Sequence, residues 1–192
     1  LVAWVEYLRL KPENKEVCNE ITKDINRLNM ITQRFSQIGT NPELLPQNII
    51  PVVQNAMAYL SSRSSKKVNF VLNLPQDTEI ILPINQCLIE WTLENLSKNA
   101  IDAMGGIGTL TLDLTQDSKR VFIDVSDTGK GMPKKQFKKV FEAGFTTKER
   151  GWGMGLSLAK RIIEEYHHGK IFVKQSTINR GTTFRIVLKK EE

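Results

Sequence analysis

Two asparagines one helical turn apart are the first residues that could do chemistry. The apolar pattern predicts a helix over 84–104, and at about 100° per residue Asn95 and Asn99 lie on the shoulder of its core face, with Asp102 further round. Asparagine is a mediocre helix former, because its amide competes for backbone groups. The amide oxygens could bind Mg²⁺ while the nitrogens meet phosphate, or the pair could close local hydrogen bonds.

A second candidate site follows a strand predicted at 119–126. Asp127 comes directly after that strand, where a carboxylate can accept the exocyclic amine of adenine. Gly129 and Gly131 would let the backbone pass close to a flat base. An ordinary Asp-Gly turn is the alternative, and this segment alone does not decide between them.

A third candidate site is a glycine-rich turn before an apolar-periodic helix. Glycines that end at a helix N-terminus form an anion site, because free N–H groups and the helix dipole both favour phosphate. The residues of this turn are Gly151, Gly153, Gly155 and Leu156. In the preceding loop, Thr147 and Lys148 could reach a terminal phosphate, or the loop could be a plain surface segment. The sequence contains neither a Walker A nor a G-x-G-x-x-G pattern.

The elements that must position these residues do not alternate strictly between helix and strand. Helices are predicted at 46–62, 84–104 and 153–167, a short helix within 127–152, an extended piece at 79–82, and strands at 67–73, 107–115, 119–126, 169–176 and 182–189. Short turns between paired strands favour an α+β fold, with a mixed or antiparallel sheet and helices on one face. Glu94 and Lys98 are expected to point away from the core.

The first part of the chain has a different pattern, a helical hairpin. Residues 16–38 read as one amphipathic helix, preceded by a shorter one over 1–10. Two helices cannot bury a continuous apolar stripe alone, so we expect a four-helix bundle formed with a second copy. The break at 39–42 divides the chain into a hairpin at 1–40 and a second domain at 41–192.

Composition excludes several classes of protein. Lys and Arg exceed Asp and Glu by 27 to 21, giving a net charge of +6, but the basic residues are scattered and no nucleic-acid partner is expected. No apolar run approaches the roughly 18 residues of a membrane helix. Cys18 and Cys87 are isolated in helical patterns, which favours two reduced thiols in a cytoplasmic protein.

Taken together, five ordered segments resemble the sequence boxes of the histidine kinase branch of the gyrase/Hsp90/MutL ATPase superfamily. They are the N box at 94–100, the G1 box at 127–131, the F box at 141–148, the G2 box at 151–156 and a last glycine box at 181–184. The resemblance implies a two-layer sandwich of a mixed sheet with three main helices on one face, and ATP bound with Mg²⁺ under a lid between Met132 and Gly151. It also implies that the first hairpin is the dimerisation and phosphotransfer region of that family.

The resemblance assigns roles to individual positions. It places Asn99 on Mg²⁺, Asn95 on phosphate or metal, Asp127 on the adenine amine and Lys148 on the γ-phosphate, with Asn95 and Lys148 as the catalytic pair. The remaining nucleotide-binding residues are expected to be Asp102, Gly129, Gly131, Thr147, Gly151, Gly153, Gly155, Leu156 and Thr182. Trp152 departs from the small residue that the family more often has at that position.

One position favours phosphate transfer over hydrolysis. Relatives that hydrolyse ATP carry a glutamate four residues before the metal-binding asparagine, and this chain has Asn95 there, an amide that cannot act as a general base. We therefore expect a dimeric sensor kinase of a two-component system, a cytoplasmic phosphoprotein whose membrane attachment, if any, uses segments outside this chain. Its γ-phosphate would pass to a histidine and then to an aspartate of a response regulator receiver domain. The alternatives are an ATPase of the same superfamily and a catalytically silent ATP-binding scaffold.

The acceptor histidine itself is not expected within the sequence. The only histidines, His167 and His168, end a predicted helix, where a histidine suits the helix dipole and a structural role. Leu1 to Trp4 resemble the segment immediately after the family's acceptor histidine, so that residue is expected a few positions before Leu1.

Overall fold

The computed structural model describes residues 18, 21–22, 25, 32, 42–76, 78–147 and 152–190. The chain divides into two units, Leu1–Pro42 and Glu43–Glu192. The described residues of the first unit are Cys18, Ile21, Thr22, Ile25 and Thr32, and all five are helical. The rest of the predicted hairpin at 1–40, including its shorter helix, lies outside the described residues.

In its described residues, the second unit has three helices whose starts are set by asparagine caps or glycine. Helix α1 is Ile49–Arg63, and the Asn48 side chain accepts a hydrogen bond from the Ile50 N–H at 3.1 Å. Helix α2 is Gln86–Ala103, capped in the same way by Asn85. Helix α3 begins at Gly155, runs to Arg161 and continues as one π-helical turn over Ile162–Tyr166.

The described part of the second unit also has seven strands, which form two sheets. They are β1 Leu45–Asn48, β2 Val68–Asn73, β3 Ile81–Ile84, β4 Gly108–Gln116, β5 Arg120–Asp127, β6 Lys170–Thr177 and β7 Gly181–Lys189. β1 and β3 make a small antiparallel pair, and the other five form a sheet in the order β2-β4-β5-β7-β6. β2 pairs with β4 in parallel and the remaining pairs are antiparallel, so the sheet is mixed.

The core lies between this sheet and the helices. Val121, Ile123 and Val125 of β5 are buried, as their alternation predicts, and Leu93 and Leu96 of α2 are fully buried in the same cluster. The predicted α+β sandwich with a mixed sheet is therefore confirmed. Its construction places the ends of α2 and β5 close to the starts of β7 and α3.

Three local predictions were wrong. The segment expected to open the first helix is strand β1, because it pairs with β3 and the Asn48 cap starts the helix only at Ile49. The short helix expected within 127–152 is two 3₁₀ turns, Lys134–Gln136 and Lys139–Phe141. Glu94 does not point into solvent: its side chain is 6% exposed and accepts a hydrogen bond from Lys98 at 3.2 Å.

Two predictions from composition can be compared with the structure. Cys18 and Cys87 are both free thiols, and both lie in helices. Among the described residues, no helix combines the length and apolar character needed to span a bilayer.

Candidate functional site

A cavity of about 690 Å³ opens where α2, β5, β7 and the start of α3 meet. Its size lies within the range of ordinary ligand pockets, and its wall mixes apolar side chains with a few convergent polar groups. The residues singled out from the sequence that line it are Asn99, Asp102, Asp127, Gly131, Thr147, Gly153, Gly155, Leu156 and Thr182. The folded chain therefore brings together residues that are up to 83 positions apart in sequence.

The other candidates fall into two groups. Asn95 and Gly129 are described but do not line the cavity directly, and both lie immediately behind its wall. Lys148 and Gly151 lie outside the described residues, so their expected phosphate contacts remain predictions. Among the described residues of the wall, Lys130 is a further cation, which sequence reasoning did not select.

Asp127 lies at one end of the cavity, at the last position of β5. It is 7% exposed, and one carboxylate oxygen accepts a hydrogen bond from the Gly129 N–H at 2.8 Å. Burial raises the pKa of Asp127 above its ordinary value of 3.8, although backbone hydrogen bonds from Gly129 and Thr182 oppose the shift. A buried carboxylate held only by neutral donors keeps acceptor capacity for a ligand amine.

The two glycines after Asp127 serve the loop in different ways. A side chain at Gly129 would meet the Ala103 carbonyl carbon at 2.5 Å, so this glycine allows the loop to pack on the end of α2 rather than against a base. The Lys130 N–H completes that contact by donating to the Ala103 carbonyl at 3.0 Å. Gly131 has φ +63° and lies against the Thr177 carbonyl while also lining the cavity.

The asparagine pair lies on the wall beside α3. The Asn99 Nδ2 donates to the Asn95 carbonyl at 2.9 Å, which fixes the amide and turns its oxygen away from that bond. The Nδ2 of Asn95 is buried without a hydrogen-bond partner in the described part of the chain, and its Oδ1 lies 3.6 Å from where a Gly155 side chain would begin. An unsatisfied buried amide normally needs an explanation, and a bound ligand is one.

The glycines at the start of α3 shape the cavity wall there. Gly153 has φ +64°, and a side chain at this position would meet the Gly144 backbone at 2.5 Å. The N-cap residue, Met154, provides no side-chain hydrogen bond to α3. The first N–H groups of α3 are therefore not satisfied by that side chain, and they adjoin the cavity at Gly155.

Sequence reasoning missed the apolar wall of the cavity. Met132, Val140, Phe145 and Phe184 line it, and Phe184 is held in place by an edge-to-face contact with Phe141 at 6.0 Å between ring centroids. In the sequence these residues look like ordinary core positions, and only their closeness to the glycine boxes could have indicated that they line a cavity. Trp152 also borders the cavity, and its side chain is 85% exposed.

The residues present suit a magnesium ion bound together with phosphate. No group of three or more His, Cys, Asp or Glu side chains that could hold a metal occurs in the described ranges. Mg²⁺ needs no such group, since it keeps several waters and binds through one or two protein oxygens plus substrate phosphates. The oriented amide oxygen of Asn99, on the cavity wall, can be such a ligand.

The two histidines lie at the end of α3, and His167 has a structural role there. His167 is 7% exposed; its Nδ1 lies 2.8 Å from the Ile162 carbonyl, and its Nε2 accepts from the Asn85 N–H at 3.1 Å. Both nitrogens are thus occupied in the neutral ring. Burial is the main cause that lowers the pKa of His167 below 6.5, so the ring stays neutral.

Comparison with known proteins agrees with this geometry. The profile of the family described as "Histidine kinase-, DNA gyrase B-, and HSP90-like ATPase" matches residues 86–192. Sensor protein TdiS of Thauera aromatica is 35% identical over 156 residues, which cover 77% of this chain and 28% of TdiS. Sensor histidine kinase ZraS of Salmonella typhi is 30% identical over 179 residues, covering 92% of this chain and 38% of ZraS. The chain thus spans well under half the length of these relatives.

Solved structures show the same fold. The catalytic domain of histidine kinase ThkA superposes with a TM-score of 0.68 at 27% identity, covering 78% of this chain and 97% of that domain. ThkA in complex with response regulator protein TrrA superposes with a TM-score of 0.68 at 23% identity, over 98% of this chain and 56% of the ThkA chain. The cavity lies within the matched family region, and the chain therefore belongs to the histidine kinase-, DNA gyrase B- and HSP90-like ATPases, as the catalytic ATP-binding domain of a sensor histidine kinase.

Proposed function

We propose that this chain binds Mg·ATP in the cavity and transfers the γ-phosphate to a histidine outside the sequence, from which it passes to an aspartate of a response regulator. The base would lie at the Asp127 end, and the phosphates would lie towards the asparagine pair and the start of α3. This orientation is supported because the acceptor carboxylate of Asp127 and the start of α3 at Gly155, which has no side-chain cap, lie on different elements around one cavity.

The observation that carries the proposal is the amide at Asn95. In the hydrolysing relatives this position holds a glutamate that activates water, whereas here it holds a side chain that cannot accept a proton. The neighbouring carboxylate of Glu94 is bound to Lys98 and is not on the cavity wall. With no base at this position, the bound nucleotide would persist until an external nucleophile arrives.

The residues of the wall would act by positioning and by balancing charge. Mg²⁺, when bound, would neutralise charge that develops on the phosphates during transfer. Asn99 would hold the ion through its oxygen, and Asn95, whose buried Nδ2 has no hydrogen-bond partner among the described residues, would support the wall at Gly155 from behind. Lys148 would supply a point charge to the γ-phosphate, as its position in the F box implies.

The partners follow from the same proposal. The predicted hairpin at 1–40 would dimerise as a four-helix bundle and present the acceptor histidine, located upstream of Leu1. A response regulator receiver domain would then accept the phosphate, in keeping with the complex that ThkA forms with TrrA. We place the reaction in the cytoplasm, where ATP is available.

The proposal can be tested with radiolabelled ATP and a longer chain that includes the residues preceding Leu1. Label that becomes attached to the protein, and that is labile in acid but stable in base, is the expected result. Free phosphate without labelled protein would instead identify an ATPase, and bound ATP with neither product would identify a silent scaffold. The same chain carrying Asn99→Ala serves as the control and should remain unlabelled.

A further inference from the structure

The hydroxyl of Ser176 lies behind the base end of the cavity at the meeting point of three hydrogen bonds. It accepts from the Met132 N–H at 2.8 Å, donates to the Gly181 carbonyl at 3.1 Å and lies 2.9 Å from the Thr182 hydroxyl. Thr182 lines the cavity, whereas Ser176 does not. Ser176 therefore contacts the wall without contacting what the cavity holds.

The chemistry of a hydroxyl fixes the direction of these bonds. A serine has one proton to donate and two lone pairs to accept with. The Gly181 carbonyl can only accept, so it takes the proton, and the Met132 N–H occupies one lone pair. The bond to Thr182 can then form only if Thr182 donates its own proton to Ser176.

This assignment determines what Thr182 offers to a ligand. Its proton is used behind the wall, so its remaining lone pairs are available on the cavity side. Asp127, also on this wall, is likewise an acceptor, and the Thr182 backbone N–H is one of its donors. The base end of the cavity thus presents acceptors, which suit an amine and disfavour a carbonyl oxygen.

A β-bulge brings Ser176 to this position. The pairing of β6 with β7 shifts between Val173 and Gln175, which leaves Lys174 as the extra residue. Val173 faces the core, and without the bulge the two-residue period would turn Ser176 to the opposite face. With the bulge, Ser176 pairs directly with Thr182.

The same hairpin also holds the loop that follows Asp127. The Asn179 N–H donates to the Lys130 carbonyl at 2.8 Å, and Gly131 lies against the Thr177 carbonyl. Together with the Met132–Ser176 bond, these contacts join the loop to the β6–β7 hairpin at three successive residues. Loss of the Ser176 hydroxyl would release one of these contacts and leave the other two.

We propose that Ser176 is a positioning residue that sets base selectivity, by holding the Thr182 hydroxyl as an acceptor towards a 6-amino purine. The proposal rests on the nucleotide-binding function proposed above. It predicts discrimination between ATP and inosine triphosphate, which has a carbonyl oxygen in place of the adenine amine. Ser176→Ala would free the Thr182 proton to rotate towards the cavity.

The test measures the dissociation constants of Mg·ATP and Mg·ITP for the 192-residue chain by titration calorimetry. For Ser176→Ala we expect ATP binding to weaken about fivefold, the effect of one net hydrogen bond, while ITP binding stays equal or improves. Ser176→Thr, which keeps a hydroxyl, should restore the preference for ATP. An unchanged ratio of the two constants in Ser176→Ala would refute the inference.

Ser126→Ala is the matched control. It removes a hydrogen bond between two hydroxyls, Ser126 and Thr183, whose oxygens are 2.9 Å apart, as are those of Ser176 and Thr182. This bond joins the neighbouring strands β5 and β7, one position away from the cavity wall. We expect its ATP to ITP ratio to equal that of the wild-type chain, and an equal shift in both variants would overturn the inference. A wild-type chain that binds neither nucleotide would contradict the proposed function itself, a result distinct from failed selectivity.

Discussion

Strand β5 carries two buried aspartates three positions apart, and their surroundings differ in nearly every respect. Asp124 accepts hydrogen bonds from Arg185 at 2.6 and 2.7 Å and from Lys174 at 2.7 Å. At Asp127 the donors are the backbone N–H groups of Gly129 and Thr182. Their odd spacing places the two side chains on opposite faces of the sheet, with Asp127 alone facing the cavity.

The two carboxyls also differ in the direction of their pKa shifts. Burial raises the pKa at both positions, but at Asp124 the hydrogen bonds from Arg185 and Lys174 outweigh it and the pKa falls below 3.8. At Asp127 burial prevails and the pKa rises. A carboxylate with paired cations stabilises the fold, whereas one left with neutral donors retains a binding capacity that costs stability.

The largest effect on nucleotide binding is expected at Asn99, which lines the cavity as Asp127 does. Asn99→Ala removes the oriented amide oxygen, and Mg·ATP affinity should fall by about 100-fold, the upper range for groups that support a metal. The unfolding midpoint should barely move, because alanine is a better helix former. Calorimetric titration and thermal unfolding measure the two quantities.

Asn73→Ala is the control for that variant. The Asn73 side chain donates a hydrogen bond to Asp113 at 2.6 Å, on strand β2 and away from the cavity. Its loss should leave Mg·ATP affinity unchanged. Normal nucleotide binding by Asn99→Ala would refute the assignment of Asn99 to the metal.

Asp127→Asn tests whether the aspartate with neutral donors contributes to nucleotide binding. An amide that replaces the carboxylate weakens a hydrogen bond to a charged group, so ATP affinity should fall by about 10- to 100-fold. Because the folded pKa is raised, the stability contribution of this group is present below pH 3.8 and is lost as pH rises through the folded pKa. At neutral pH the variant should therefore be as stable as the wild type or more stable, measured by urea unfolding.

Asp124→Ala tests whether the aspartate paired with two cations stabilises the fold. It leaves Arg185 and Lys174 without their carboxylate, and the free energy of unfolding should fall by about 2 kcal/mol while ATP affinity stays unchanged. The folded pKa is lowered, so this stabilisation is present above pH 3.8 and is lost as pH falls through the folded pKa. The difference between wild type and variant should accordingly shrink in acid.

Asp113→Ala provides the control for Asp124→Ala. Asp113 lies directly opposite Asp124 on the neighbouring strand but accepts a hydrogen bond from the neutral amide of Asn73. Its removal should cost less stability, because it also relieves repulsion between two facing carboxylates. An equal loss in both variants would mean that the cations around Asp124 contribute nothing specific.

The sequence alone was enough to locate the main elements because each has a clear local period. The alternation in β5 and the helical repeat in α2 depend on neighbours within one element. Strand β1 was missed because its existence depends on pairing with β3, and Leu45 lies opposite Ile84 only in the folded chain. The π-helical turn at Ile162–Tyr166 was also missed, because an apolar repeat of three and four residues does not distinguish one π-helical turn from an α-helical one.

The polar part of the site was also predictable, whereas its supports were not. Asp127, Asn99 and Thr182 belong to recognisable boxes, and the structure brings them to one cavity. Ser176 belongs to no box, and its contact with Thr182 depends on the β-bulge in β6, which the local sequence pattern does not predict. Residues expected to contact a ligand lie in ordered sequence motifs that can be recognised, whereas the residues that hold them in place depend on non-local packing.

The smallest effect is expected at His167, which resembles Asp127 in being buried with neutral partners but does not line the cavity of the candidate site. Its folded pKa is lowered, so its stabilisation is present above pH 6.5 and is lost as pH falls through the folded pKa. Between pH 6.5 and that lower value, the wild type should lose up to about 1.4 kcal/mol per pH unit relative to His167→Gln. Urea unfolding near neutral pH and in mild acid measures this slope.

His168→Gln separates burial from the mere presence of a histidine. His168 is exposed next to its buried neighbour, and its charge lowers the pKa of His167 less than burial does, so its replacement should leave most of the pH dependence of the wild type in place. If His168→Gln removed the slope and His167→Gln did not, burial of the His167 ring would not be what keeps it neutral. ATP affinity should be unchanged in both variants, because a buried titratable group contributes to binding only where its unused acceptor or donor faces the ligand, as at Asp127.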